Sequence, residues 1–521
     1  MQPTSSHRQA ATPLLLRGIF WCVWLTLAAF AATHHVMWRD EIRALSFAER
    51  GHSLADMIVQ IRGFGHPALW HITLRGALSI YPHPIVLPIV AFAIGAAASA
   101  LLAFKAPFRP LLLALALFGA FSTYEYVAVA RNYGISMLIL FAVAWAWPRY
   151  RDRPGAIGAL LFLLCNTNVH SVVLAGAFLV FWFVELVQQR PENNRLSWPS
   201  FFAAVALVLI GTAICAWQVY PPVDTAAMLP PGRSGTAGFL ISLVENVGPY
   251  FDELMPADMR SLVPVVVLLP ILLILSIASL RSSPGAMIAS AAALVGLELV
   301  FQTIYPGYYR HQSLFIAFLL AMVWIAEDKR PTETPDRPTI GGIAFMAMLA
   351  LQVYNSVLIF SGIASGIPES RSRDLAALLA RPGLRSAIVM GDPDTMVEAL
   401  PYYVSNPIYF VREHRFGNTI IFSHSAISTM SIKTILSTAQ DLHARTHRPI
   451  VIVLAERLGP NIIAGERDRG YYGPLRIDPK EVREFLAATV RIARFAPAVT
   501  DESYDVYVLD DAKRKGAGGL P

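Results

Sequence analysis

Long apolar runs dominate the first 365 positions of this 521-residue chain, broken by short polar stretches and by two longer ones, 36–84 and 220–261. A run of about 20 apolar residues is long enough to cross a bilayer as a helix. Segments near 13–35, 85–104, 110–123, 133–148, 156–168, 170–188, 199–219, 262–280, 285–304, 310–326 and 340–361 fit that pattern. They predict a polytopic α-helical membrane protein with about eleven spanning helices. A twelfth stretch, 67–82, is ambiguous. It holds about sixteen residues, carries His71 and Arg75, and is bracketed by His66-Pro67 and Pro82-His83-Pro84.

Loop charge resolves that ambiguity, because Lys and Arg accumulate in short cytoplasmic loops. Arg8 and Arg17, Lys105/Arg109, Arg149/Arg151/Arg153, Arg190/Arg195, Arg281 and Lys329/Arg330/Arg337 all fall inside only if 67–82 does not cross. It is therefore read as an interfacial or re-entrant helix in the first external loop, about His35–Pro84. The N-terminus is expected in the cytoplasm and the C-terminus outside. The run Leu14–Thr33 is long enough to span and reads as an anchor rather than a cleaved signal.

Past residue 365 the pattern changes. Strands are predicted at Ser386–Met390, Pro407–Val411, Pro449–Leu454, Thr489–Ala496 and Tyr504–Leu509, and helices at Pro393–Tyr402, Ile432–Arg445 and Lys480–Ala487. Alternating strands and helices predict a small α/β domain. The expected organisation is a transmembrane domain over 1–365 and an extracytoplasmic soluble domain over 366–521. Composition agrees. Only 15% of the chain is charged and 55% is hydrophobic, yet 37 of the 78 charged residues lie in 370–521. The net charge of +6 is the kind that topology-setting loops create, so no nucleic-acid partner is expected. Cys22, Cys165 and Cys215 sit in apolar runs and read as small buried hydrophobes.

The expected topology gathers particular polar residues outside. Asp40 and Glu41 follow His34, His35 and Trp38 at the end of the first span; Arg131, Arg310 and His311 sit at outer helix ends. An acidic pair at a helix end is ordinarily a solvated surface feature. Here carboxylates and cations share one face of the membrane. A carboxylate there can take a proton from a hydroxyl, and an Arg can hold a phosphate through two parallel hydrogen bonds. His170, after Asn166-Thr167-Asn168, is a candidate acceptor-side residue or a plain helix-start residue. Asp252 and Glu253 have no His or Cys at ligand spacing, so no metal site is assigned and divalent-metal dependence stays open. Asp392 and Asp394 follow the first strand of the tail, where capping of a strand-to-helix turn is expected.

Three motifs in order carry a resemblance: Asp40-Glu41, Gly65-His66-Pro67-Ala68-Leu69-Trp70 and Ala130-Arg131-Asn132-Tyr133. Together they resemble the polyprenol-phosphate-sugar-dependent, C-type membrane glycosyltransferases. The nearest group is family 39, which includes protein mannosyltransferases and lipid A aminoarabinose transferases. The resemblance implies Asp40 as catalytic base with Glu41 supporting it. It implies a donor site of His66 and Arg131, beside Tyr133, to which Arg310 and His311 are added as late external cations. Ala68 replaces the family's second Pro, and Glu125 stands where several relatives carry a second Asp. The implied activity is inverting transfer of a sugar from a polyprenyl-phosphate donor to a hydroxyl of a glycan, lipid or protein, at the external face of a bacterial inner membrane. The alternatives are a transporter or flippase of lipid-linked glycans, or a non-catalytic subunit of a polysaccharide synthesis complex.

Overall fold

The computed structural model describes residues 12–153, 155–188, 196–220, 249–260, 264–303, 307–329, 339–423, 425–468 and 473–510. Arg8, Arg190, Arg195, Asp224, Tyr305, Pro306, Arg330 and Arg337 lie outside the described residues. The described chain forms two compact units. One holds the residues up to Thr33, from Phe64 to Tyr220 and from Pro249 to Gly362; the other holds His34–Gly63 and the residues from Ile363 onward.

The helices run in order α1 Leu14–His34, α2 Arg39–Ala48, α3 Leu54–Gln60, α4 Leu69–Ile80, α5 Val86–Lys105, α6 Pro110–Phe118 and α7 Tyr133–Tyr150. They continue with α8 Ala156–Cys165, α9 Val169–Gln188, α10 Trp198–Val219, α11 Val265–Ala278, α12 Pro284–Thr303, α13 Tyr309–Asp328 and α14 Ile340–Ala364. Among the described residues, seven helices are long and apolar enough to cross a membrane: α1, α5, α9, α10, α12, α13 and α14. The other four expected spans are shorter helices, namely α6 with 9 residues, α7 with 18, α8 with 10 and α11 with 14. The stretch expected over 110–123 stops as an α-helix at Phe118, and Phe121–Glu125 winds into a single π turn. The ambiguous stretch 67–82 is the 12-residue helix α4, about 18 Å long at 1.5 Å per residue and too short to span.

In the first unit α13 is the central element. Every side chain from His311 to Ile325 is buried, which marks a helix enclosed on all sides. It packs against α7, α9 and α12, while α5 packs on α7 and α8 on α10. Small residues permit close contact without a hydrophobic driving force in lipid. A Cβ added at Gly158 of α8 would sit 2.8 Å from the Cα of Ala204 on α10. Arg17, expected in a cytoplasmic cluster, is buried and donates to the carbonyls of Thr12, Ala103 and Ala106, which satisfies the last turn of α5. Cys165 and Cys215 are buried as expected, but Cys22 is on the exposed face of α1.

In the second unit a six-stranded sheet has the order β3-β2-β1-β5-β9-β8, with β1 Ile388–Asp392, β2 Ile408–Phe410, β3 Arg415–Phe416, β5 Ile450–Leu454, β8 Thr489–Phe495 and β9 Tyr504–Leu509. A second, three-stranded sheet joins β4 Met430–Ser431, β7 Leu475–Ile477 and β6 Gly465–Arg467. Strand β1 is parallel to β2 and β5, whereas β9 runs antiparallel to β5 and β8. The central strands are buried on both faces. Ile388, Met390, Ile450, Ile452 and Leu454 point into one core, and Val389, Val451 and Val453 into the other. That two-sided burial explains why β1 and β5 read as continuous apolar runs. Helices α15 Ser372–Leu379, α16 Ile432–Thr446 and α17 Pro479–Ala488 cover the sheet. Ser431 caps α16 at the Thr434 amide and Asp478 caps α17 at the Lys480 amide.

The helix expected over Pro393–Tyr402 is absent. Two 3-10 turns, Asp394–Val397 and Leu400–Tyr402, take its place. Asp394 spends both carboxylate oxygens on the amides of Val411 and Arg412, at 2.7 and 3.1 Å, instead of capping an α-helix. Asp392 receives the Arg412 Nε at 2.9 Å. Burial raises the Asp394 carboxyl well above its ordinary range.

Candidate functional site

The expected site residues divide between the two units. In the first unit, the π turn delivers Tyr124-Glu125-Tyr126, and the chain then loops back to begin α7 at Tyr133. Arg131 lies at the end of that loop and its Nη2 donates to His66 Nε2 at 3.2 Å. Receiving that bond leaves the His66 proton on Nδ1. His311 stands one turn into α13 and accepts the Tyr308 amide on its Nδ1 at 3.0 Å. It lies within electrostatic reach of His170, Arg310, Arg131 and His66. So the structure brings His66, Arg131, Arg310, His311 and His170 together, although they come from positions up to 245 residues apart, from His66 to His311.

Hydrogen bonds fix the elements that present this cluster. Tyr126, 1% exposed, donates its hydroxyl to the Arg310 carbonyl at 2.7 Å and lies 3.0 Å from Ser313 Oγ. Asn132 donates to the Thr167 carbonyl at 2.6 Å, and Ser136, Thr167, Asn168 and Ser171 continue the network, tying the starts of α7 and α9. Tyr133 is packed rather than displayed: it stacks on Tyr126 and meets the His311 ring edge-on at 5.2 Å. His170, expected at a helix start on the external side, is buried one residue into α9, 4.8 Å from the His311 ring, and neither ring nitrogen has a hydrogen-bond partner. Glu125 is half-buried at the end of the π turn, within electrostatic reach of Tyr126 and Tyr309. A single π turn in an otherwise α-helical region often marks a functional position.

The cluster brings two guanidinium groups to helix starts. Arg131 precedes α7, Arg310 opens α13 and His170 opens α9. A helix N-terminus already carries about half a positive charge, so cations there repel it and anions are favoured. The arrangement suits a phosphate: two guanidinium forks and imidazole donors around helix N-termini.

The second unit holds the acidic motif. After α1 the chain extends through His35–Met37 and enters α2 at Arg39. Glu41 is fully buried. Its Oε2 lies 2.8 Å from His35 Nε2 and accepts the Trp38 amide at 3.2 Å, closing the first turn of α2. Asp40 is half-exposed beside it. One carboxylate is thus a structural clamp, and the other is only partly buried. Arg39 engages Asp501 through two bonds of 2.6 and 3.0 Å, and its amide donates to Glu502 at 3.0 Å. Arg43 makes a two-pronged pair with Glu398, and Arg50 bonds Thr419.

Other candidates are occupied otherwise. Glu253 pairs with Arg260 at 2.7 and 3.1 Å, and Asp252 faces Gln312 at 3.5 Å. Among the described residues, no group of three or more His, Cys, Asp or Glu is placed to hold a metal ion. Tyr126, Ser313, Arg43 and Glu398 have no signal in the sequence, because each acts through a partner far along the chain.

No protein-family profile and no curated protein matches the chain. Among solved structures it is similar to the cryo-EM structure of the arabinofuranosyltransferase AftD from Mycobacteria in a mutant form, at 15% identity and a TM-score of 0.36, covering 97% of this chain and 42% of that one. It is also similar to the crystal structure of ArnT from Cupriavidus metallidurans bound to undecaprenyl phosphate, at 12% identity and a TM-score of 0.47, covering 95% of this chain and 98% of that one.

Proposed function

We propose that the chain is an inverting glycosyltransferase that uses a polyprenyl-phosphate sugar as donor and a hydroxyl of a glycan, lipid or protein as acceptor. The observation that carries this reading is the gathering of His66, Arg131, Arg310 and His311 at helix N-termini of a membrane-type helical unit. Cations at the positive ends of helices favour an anion. An anion held beside long apolar helices suits a phosphate on a lipid tail.

Each proposed role follows from chemistry. Asp40, the less buried member of the acidic pair, accepts the acceptor's hydroxyl proton. The hydroxyl oxygen forms a bond to the anomeric carbon from the face opposite the phosphate, and the anomeric C–O bond breaks. The electron pair leaves with the polyprenyl phosphate. Arg131, His66, Arg310 and His311 stabilise the charge that grows on that phosphate. The tail domain over 366–521 and the acidic motif are assigned to the external face of the inner membrane, with the N-terminus in the cytoplasm.

The test is turnover by purified full-length protein given a polyprenyl-phosphate sugar and candidate acceptors. Transfer with inversion, lost in Asp40→Asn, supports the reading. Transmembrane movement of a lipid-linked glycan without any transfer replaces it with the transporter reading.

A further inference from the structure

The segment that carries Asp40 does not hold its own shape. Helix α2 has 10 residues, fewer than an isolated helix needs for stability in water. Its position must come from tertiary contacts, and these come from the tail. Before Asp40, Tyr403 donates its hydroxyl to the Met37 carbonyl at 2.8 Å, and Arg373 reaches the His35 carbonyl at 3.4 Å. Next to Asp40, Arg39 is held by Asp501 and Glu502. One turn beyond Asp40, Arg43 forms the two-pronged pair with Glu398.

The Glu398 pair differs from a surface salt bridge. The Glu398 side chain is fully buried, and its Oε1 also accepts the Ile420 amide at 3.2 Å. Glu398 follows directly on the turn Asp394–Val397, whose first residue is anchored to the amides of Val411 and Arg412. The carboxylate is therefore rigidly mounted on the sheet end of the tail. A planar guanidinium bonded through two atoms fixes direction as well as distance. Arg43 is three residues after Asp40, so it fixes the helical turn whose start Asp40 occupies.

We propose that Arg43 and Glu398 are positioning residues for Asp40, and that the tail's function includes holding the acidic motif in its working orientation. This rests on Asp40 acting as the base. Misplacing a reacting group by about 1 Å can cost about a hundredfold in rate, so loosening this mount should act on turnover rather than on donor binding.

The experiment compares full-length Arg43→Ala, Arg43→Lys and Glu398→Gln with Asp40→Asn and with Arg445→Ala, which removes a cation from an exposed pair with Asp441 elsewhere on the tail. Folded fraction, donor-analogue Kd and kcat are measured on each. We expect Arg43→Ala and Glu398→Gln to lower kcat roughly ten- to a hundredfold per folded molecule, with Kd within about twofold and Arg445→Ala unchanged. Arg43→Lys should restore folding fully but kcat only in part, because a point charge cannot make two parallel bonds. A loss of activity that tracks the folded fraction alone overturns the proposal, as does full kcat in Arg43→Lys and Glu398→Gln. Should Arg43→Ala misfold, those two milder variants decide. Full turnover in Asp40→Asn would instead remove the underlying assignment of the base, whatever Arg43 does.

Discussion

Arg131 donates to His66 across 3.2 Å, joining the loop before α7 to the segment before α4. Both side chains are half-buried. Under the proposed function this pair holds the donor phosphate. Arg131→Lys keeps the charge but loses the fork, so donor-analogue affinity should fall by about 1.5–3 kcal/mol, the value of a charge-assisted hydrogen bond. Arg131→Ala should fall further. If Arg131 serves only the fold, affinity measured on the folded fraction will be equal in wild type and both variants, and the phosphate role is lost.

The two carboxylates of the acidic motif should separate cleanly in mutagenesis. Asp40 is half-exposed, so Asp40→Asn should leave the thermal transition nearly unchanged and reduce turnover by about 10²–10⁴. Glu41 is buried between His35 and the Trp38 amide. Glu41→Ala leaves those groups without their partner and should destabilise by about 1–3 kcal/mol. Normal turnover in folded Asp40→Asn would hand the base to another group.

The loop from the π turn to α7 is held so tightly that it has no room for a methyl group. A Cβ at Gly134 would stand 2.7 Å from the Tyr126 carbonyl oxygen, a backbone atom that cannot swing aside. Gly134→Ala should therefore cost about 1–3 kcal/mol as overpacking. Because Tyr126 carries the bond to the Arg310 carbonyl, the same change should also weaken donor binding in the molecules that remain folded. A variant as stable as wild type would show that the loop can yield.

What the sequence made legible was what local pattern encodes. Apolar runs located the helices, and two-sided burial made β1 and β5 stand out as apolar runs. Tyr504–Leu509 appears with its expected bounds. The failures share a cause. The small sheet of β4, β6 and β7 has strands of two or three residues, too short for periodicity to register. The turn after β1 looked helical because Asp394 resembles a cap, but its carboxylate is claimed by amides 17 and 18 residues away. Motif order named Asp40, His66 and Arg131 as candidates. It gave no hint that Glu41 turns inward, or that Arg43 and Glu398, 355 residues apart, grip each other.

Glu502 should give the protein a measurable pH slope. Burial raises its carboxyl above the ordinary carboxylate range, although Arg39, Ser370 and Ser372 oppose the rise. In the window between the ordinary value and the raised one, the folded chain keeps a proton that the unfolded chain has released. Folded-state stability is then greatest below that window and falls as pH climbs through it. Glu502→Gln cannot ionise and should flatten that part of the curve while keeping an amide in reach of Ser370 and Ser372. Thermal unfolding of full-length wild type and variant across a pH series reads the difference directly. Parallel curves would mean that Glu502 titrates alike in both states.

The proposed chemistry depends on which side of the membrane the acidic motif occupies. Ser53 lies just past α2 and Ser405 lies between β1 and β2 in the same compact unit. Asp152 follows the Arg149/Arg151 charges at the end of α7, where the loop-charge rule requires cytoplasm. Single cysteines at 53 and 405 should therefore react with a membrane-impermeant thiol reagent in intact spheroplasts, and one at 152 should react only after permeabilisation. Each single cysteine is placed in a background lacking Cys22, Cys165 and Cys215, so that the introduced thiol is the only one present. Labelling at 53 and 405 alone fixes the acidic motif outside, where a polyprenyl-phosphate donor of the proposed kind is used. Labelling at 152 alone reverses the map, puts Asp40 in the cytoplasm and removes the external transfer reaction with it. Labelling at 53 without 405 would mean that the two stretches do not share a compartment, which contradicts the ion pairs of Arg39 and Arg43 with the tail and sinks the positioning role as well.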